Sequence, residues 1–386
     1  MRGLWMELPP FSPDTSGFAS VLSGTDGMGL IDDVRGCCGN YYGSEETRRG
    51  IPIRVFVSEL GNEDAVLGTE GVLTRRCRAL AEQLSPAFVL LCGSPIAALI
   101  GTDLEEIAGK LGRALGLPVS QVDLSGHGTY EEGLSKTLEA MARALSGPGE
   151  RRKEMVNILG ANHLDWSGGD MAALRKWIAD GSGLAVSAVY GGETTLSELR
   201  GSGCAGLNWV VNVSGLRAAQ WMQERYGIPF LRGAPFGAAW SRALLDQAAK
   251  GGADWIPPAP GTGGGRALLI GEQYTCDALR RLLYENYGFS TVQVCSFFRM
   301  DRGYMASGDR RLWEEDELTQ LLGEDFDLVI GDPLLRRCGP SRGRWIDLPH
   351  IPVSARLYDD LRPSLLGAGA DRWLAAALEH SDTEED

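Results

Sequence analysis

The alternation of short apolar runs with helical periods constrains this chain more than any single motif. β-rich runs stand at residues 53–57, 88–91, 119–124, 155–159, 184–190 and 209–213, and again at 267–270, 291–298 and 327–330. Between them Leu104, Ile107, Ala108, Leu111 and Leu115 fall on one helical face, and Leu279, Leu282 and Leu283 repeat that spacing. Strands separated by helices of this length require crossover connections, so α/β architecture with mostly parallel sheets is expected. Glycine agrees. It supplies 52 of 386 residues, nearly twice the usual share of about 7%, and it shows no collagen period. Many tight strand–helix turns consume glycine in this way.

A chain of this length exceeds what one core usually organises. Two breaker clusters divide it: Ser146-Gly147-Pro148-Gly149-Glu150, and the run from Pro257 through Gly265. The expected units are 1–150, 151–262 and 263–386, the last ending in the acidic tail Asp382-Thr383-Glu384-Glu385-Asp386. Each is large enough for one small Rossmann-like sheet.

Charge and cysteine usage narrow the function classes. Asp+Glu 51 against Lys+Arg 37 gives −14, the opposite of what phosphate neutralisation needs, so no nucleic-acid partner is expected. The longest apolar stretch, 87–101, is broken by Gly93, Ser94 and Pro95 and is too short to span a bilayer. No membrane role is expected, and the N-terminus lacks the apolar region of a secretory leader. Eight cysteines lie at 37, 38, 77, 92, 204, 276, 295 and 338 without CxxC spacing, a pattern of thiols in a reducing cytoplasm.

No Walker loop, nucleophile elbow or zinc spacing is present. The glycine run at 261–265 precedes an apolar run, whereas a dinucleotide loop must follow one, so it reads as a linker. Gly191-Gly192 follows a strand, but Glu193 beside it would repel a pyrophosphate. His127 and His163 each follow an apolar run, where α/β proteins place ligand-facing loops, though a plain loop histidine is the commoner case. Cys77 and Cys295 read as buried inert thiols. Cys276 stands near an expected helix N-terminus, which would lower its pKa. Cys37-Cys38 differs from all of these: it occupies a glycine-bounded loop, Gly36-Cys37-Cys38-Gly39-Asn40-Tyr41-Tyr42-Gly43, read as lying well before the first regular strand. Adjacent cysteines rarely bind one metal together, and an iron–sulfur centre needs four thiolates or substitutes.

Several stretches together resemble the nitrogenase component 1 family, and in particular its short clostridial-type members. They are Pro10-Phe11-Ser12-Pro13-Asp14-Thr15-Ser16-Gly17, Gly36-Cys37-Cys38-Gly39-Asn40-Tyr41, Glu63-Asp64-Ala65-Val66-Leu67-Gly68 and the segment from Gly93 to Leu104. Thr195-Leu196-Ser197-Glu198-Leu199, Tyr226-Gly227-Ile228-Pro229, Asp327-Leu328-Val329-Ile330-Gly331-Asp332-Pro333 and Leu348-Pro349-His350-Ile351-Pro352 continue it in order. The resemblance implies three Rossmann-like domains, a homo- or heterodimer of like subunits, and low-potential electrons from an iron-protein ATPase. It also implies an iron–sulfur cluster at the subunit interface, held by a cysteine in a Gly-Cys-x-x-Tyr type loop. Cys38 fits the spacing to Tyr41 and Cys37 fits counting from Gly36, so either can be the ligand.

The departures are informative. Where the family has a further cluster cysteine, this chain has Ser94-Pro95, with Cys92 as the candidate substitute, and residues 1–36 contain no cysteine. The register from Thr195-Leu196 places Asn212 where nitrogenase uses a cysteine on its molybdenum–iron cofactor, and an amide is a poor iron ligand. Dinitrogen is therefore disfavoured as substrate. If Cys37 or Cys38 approaches a twofold axis with Cys92, two chains supply four thiolates. His127 and Asn212 are the candidates for an interdomain cleft. The expected function is a nitrogenase-like oxidoreductase subunit acting on an unknown substrate; the alternatives are a metallocofactor or tetrapyrrole carrier without turnover, and a glycosyltransferase-like enzyme.

Overall fold

A computed structural model describes residues 5–36, 41–48, 54–252 and 257–379. Its strands form three sheets in which every ladder is parallel. The first sheet has the order β2-β1-β3-β4, from β1 (Met28–Asp32), β2 (Val55–Val57), β3 (Val89–Gly93) and β4 (Val119–Val122). The second, β6-β5-β7-β8, is built from β5 (Arg152–Leu159), β6 (Ala185–Tyr190), β7 (Ala205–Val210) and β8 (Phe230–Arg232). The third runs β11-β10-β9-β12-β13, from β9 (Arg266–Ile270), β10 (Thr291–Ser296), β11 (Arg310–Arg311), β12 (Leu328–Gly331) and β13 (Arg344–Asp347).

In each sheet the first strand of its set lies inside, and the chain winds first to one side and then to the other. The reversal falls between β1 and β3, between β5 and β7, and between β9 and β12. In such doubly wound sheets the crevice beyond the carboxyl ends of those two strands is where ligands bind. The expected α/β fold with mostly parallel sheets is present.

One expectation about its start is corrected. The cysteine loop does not precede the first strand but follows β1, which pairs with both β2 and β3. Met28–Asp32 escapes an apolar-run reading because Gly29 and Asp32 interrupt it, yet every residue in it is buried.

Close backbone approach fixes the first unit. The helix Asp14–Leu22 packs on the helix Tyr130–Leu145 through two glycines. A Cβ on Gly17 would lie 2.1 Å from the Tyr130 carbonyl oxygen, and one on Gly133 would lie 1.9 Å from that of Asp14. The helix Leu104–Leu115 buries Leu104, Ile107, Ala108 and Leu111, the face its spacing predicts. No helix among the described residues is long and apolar enough to cross a membrane.

Candidate functional site

The three sheets meet over one buried carboxylate. Asp165 follows β5 and accepts from Tyr130 Oη at 2.7 Å, from Asn162 Nδ2 at 2.7 Å and from Asn212 Nδ2 at 2.9 Å. His350 Nε2 lies 2.7 Å from its Oδ1. Tyr130 opens a helix beyond β4, Asn212 follows β7, and His350 follows β13, so every sheet contributes one arm.

Local turns aim these groups. The Asn162 Oδ1 accepts from the Leu164 and Asp165 amides, closing a turn that turns the Asp165 side chain inward. Asn212 Oδ1 accepts from the Ser214 amide at 2.8 Å and its hydroxyl at 2.7 Å, capping a short 3₁₀ turn. Gly160 has φ +95° and a Cβ there would sit 3.0 Å from the Asn212 carbonyl oxygen, so the ends of β5 and β7 close up only without a side chain. Asp332, beyond β12, accepts from the His350 amide and the Ser354 hydroxyl, both at 2.7 Å, and holds the histidine loop.

Electrostatics follow from these contacts. Burial alone would raise the Asp165 carboxyl, but the hydrogen bonds and charge of His350, with Asn162 and Tyr130, outweigh it and hold the group below its usual range. An ionised carboxylate only accepts, so His350 Nε2 carries the proton in that contact. Burial pushes the Tyr130 phenol well above its ordinary value, and the Asp165 charge adds to this. Glu272, beyond β9, caps the helix Gln273–Tyr287 through the Thr275 amide and accepts from the Val213 amide. Burial, reinforced by Asp165, lifts its carboxyl to about 7. A cavity of about 30 Å³ lies against Asp165, Glu272, His350 and Arg362, room for a water or two and not for a cluster or a tetrapyrrole.

Of the residues singled out from the sequence that are described, Asn212 alone reaches this hub. His127 sits on an exposed loop whose neighbouring Gly126 and Gly128 amides donate to Asp14. His163 is buried next to the hub on the side of Arg48, and burial followed by the Arg48 charge lowers it to about 3, which leaves it neutral. Cys92 is fully buried in the apolar core, paired in the ladder with Ile31 and Val122. Cys37 and Cys38 lie outside the described residues. Cys276 is corrected: it does stand in the first turn of its helix, but burial, with Glu272 adding to it, pushes the thiol well above its ordinary value. Among the described residues no group of three or more His, Cys, Asp or Glu could hold a metal ion.

Sequence reading missed Asp165, Tyr130, Glu272 and His350 as a unit. A signal existed: each lies just beyond a strand or opens the next helix at a sheet's carboxyl edge.

Comparison with known proteins agrees with the fold. A family model described as nitrogenase component 1 type oxidoreductase matches residues 21–252. The chain is 27% identical over 292 residues to a light-independent protochlorophyllide reductase subunit of Methylobacterium sp. (strain 4-46), covering 66% of this chain and 56% of that one. It is 26% identical over 231 residues to the nitrogenase iron-molybdenum cofactor biosynthesis protein NifE of Methanosarcina barkeri, covering 55% and 49%. The NifE of Klebsiella pneumoniae is 23% identical over 338 residues, covering 79% and 72%. The chain spans about half the length of the first two of these curated relatives. A solved structure titled "Nitrogenase Cp1 at pH 6.5" superposes with a TM-score of 0.78 over 100% of this chain and 96% of that one, at 13% identity.

Proposed function

The chain belongs to the nitrogenase component 1 type oxidoreductases, and from that membership we propose that it is a cytoplasmic subunit accepting low-potential electrons from an iron-protein ATPase to reduce a substrate other than dinitrogen. Its organisation into units 1–150, 151–262 and 263–386 is part of the same proposal. The observation that supports the redox reading is the position of the paired thiols in the sequence. Cys37 and Cys38 follow β1, one of the two strands that flank the reversal in the first sheet.

In this reading a like subunit completes the ligand set. The described residues hold no complete ligand set for an iron–sulfur cluster, so the reading assigns ligation to Cys37 or Cys38, with Cys92 as the further candidate, together with their counterparts in a second subunit. Val66, Leu67 and Leu99 follow β2 and β3 and are 84%, 84% and 88% exposed, apolar surface suited to being covered by such a subunit. Cys92, near the carboxyl end of β3, is the remaining candidate, and its burial in the core gives it a packing role as well.

An iron–sulfur cluster, when bound, supplies electron transfer. The chain's own residues manage protons at the junction. Glu272, with its carboxyl near 7, is able to hold and release a proton around neutrality, and the fixed Asp165 charge orients His350 and Tyr130 beside it. Asn212 commits its amide to Asp165 and Ser214, which supports a substrate chemistry other than that of the molybdenum–iron cofactor.

The alternative, a carrier of a metallocofactor or tetrapyrrole without turnover, draws on the same Asn212 and on the NifE relatives. The junction cavity is too small for such cargo, which this reading places elsewhere, at a face shared between subunits.

Anaerobic reconstitution with iron and sulfide tests the reading. Bound iron with visible cluster absorption, lost on Cys37→Ser with Cys38→Ser, is the expected result, and loss or retention on Cys92→Ser decides whether Cys92 also ligates. No bound iron in the wild type removes it. Cofactor uptake with no turnover when a reductase and ATP are supplied selects the carrier.

A further inference from the structure

A second cleft, of about 710 Å³, opens between the helix Leu216–Tyr226 and the segment 299–313 of the third sheet. On a chain of net charge −14 its lining is strongly basic: Arg217, Arg299, Arg302, Arg310 and Arg311 all face it. Acidic side chains lie there too, but their charge is spent inward. Asp301 is bound by Arg232 at 2.8 Å and accepts from Tyr274, and Asp309 is gripped by both Nη1 and Nη2 of Arg280. Arg217 is paired with Glu139. That leaves Arg299, Arg302, Arg310 and Arg311 without a direct ion pair among the described residues, the buried Glu131 carboxyl acting on Arg299 and Arg311 only from a distance.

Such a cluster is costly to assemble without a ligand, because like charges repel and guanidinium groups want acceptors. The cleft shows that want directly. Arg311 Nε is buried without a hydrogen-bond partner. Its guanidinium is held 4.0 Å over the ring of Trp313, which is 55% exposed at the rim. The backbone beneath is fixed: β11 carries Arg310 and Arg311 and pairs with β10, and Asp301 caps the turn that bears Arg302. Guanidinium forks favour bidentate recognition of carboxylate or phosphate oxygens.

We propose that this cleft binds a small molecule bearing two or more carboxylate or phosphate groups, gripped by Arg299, Arg302, Arg310 and Arg311 with Trp313 as a flat wall. Its volume is that of a small-molecule site. The acidic remainder of the surface repels an extended polyanion, so a compact anion and not a nucleic acid is the occupant. The proposal is independent of the redox reading, since it needs neither a cluster nor a reductase.

Calorimetry on the full chain at low ionic strength tests it, with citrate and inorganic pyrophosphate as separate probes and acetate as the monovalent control. One or both multivalent probes should bind, and whichever binds identifies carboxylate or phosphate as the recognised group. Arg302→Gln with Arg310→Gln should weaken that binding by about tenfold or more. The charge-matched surface pair Arg75→Gln with Arg113→Gln should leave it within about twofold. No heat from either probe at about 1 mM, an equal loss in both double variants, or acetate binding as well as citrate overturns the proposal. So does a duplex DNA fragment that binds more tightly than the small anions. All these arginines but Arg311 are exposed or on loops, and matched melting curves confirm that the variants fold.

Discussion

His350 Nε2 and Asp165 Oδ1 are 2.7 Å apart although 185 positions separate them in the chain. The contact ties the third sheet to the second at the carboxyl edges of both. Because the Asp165 side chain is buried and its partners are all donors, Asp165→Asn would point an amide N–H₂ at donors already in place. A loss of about 2–4 kcal/mol in chemical denaturation is expected. The pH profile should change as well. A carboxyl held below its usual 3.8 stabilises the fold above that pH and loses this as acid protonates it. The variant should therefore lack that acid limb, and an unchanged limb would show that Asp165 is not the charge responsible.

Glu131 provides a test of opposite sign. Burial lifts its carboxyl from 4.5 to about 7, in spite of Arg299 and Arg311 nearby, and its Oε1 has no partner among the described residues. The unfolded chain releases this proton near 4.5 while the folded chain keeps it to about 7. Stability should therefore fall as pH rises across that window, by up to about 3 kcal/mol from this group. Glu131→Gln should flatten the decline, gaining on the wild type at pH 8 and not at pH 4.5. Equal differences at the two pH values would exclude Glu131 as the source.

Arg280 is fully buried between Asp277 and Asp309 and bonded to both. Arg280→Met would strand two buried carboxylates, a loss of about 3–5 kcal/mol. Arg280→Lys keeps the charge but not the fork, and about half of that loss is expected. Urea denaturation ranks the two variants; equal losses would mean that fork geometry rather than charge sets the stability.

Buried parallel strands announced themselves because both of their faces are apolar. Thus 88–91 and 267–270 read as runs, and they form the cores of β3 and β9. β8, β11 and β13 were not legible: Phe230–Arg232 and Arg310–Arg311 are too short, and Arg344–Asp347 begins and ends on charge. The site was less readable than the fold. Asn162-His163-Leu164-Asp165 drew attention for its histidine, whereas the residue that matters there is Asp165, which only the sheet topology brings to His350. Asn212 was found through its register with a family position, and its actual partners, Asp165 and Ser214, carry no local sequence mark.

The glycine pair at the first helix crossing yields the sharpest packing prediction. Gly133 lies where a Cβ would come within 1.9 Å of the Asp14 carbonyl oxygen, a backbone atom with no rotamer to move. Gly133→Ala must therefore push the helices Asp14–Leu22 and Tyr130–Leu145 apart, and the Tyr130 end of that second helix carries the hydroxyl bound to Asp165. A loss of about 3 kcal/mol or more is expected, as for other overpacked core sites. Helix propensity alone argues the other way, favouring alanine by about 1 kcal/mol. Gly109→Ala isolates that term: it lies in the exposed face of the helix Leu104–Leu115, and its nearest new neighbour is the Arg113 guanidinium at 3.7 Å. Thermal unfolding should show Gly109→Ala unchanged or raised and Gly133→Ala sharply lowered. If both rise together, the two helices are not in backbone contact, and the path from Asp14 through Tyr130 to Asp165 fails with them.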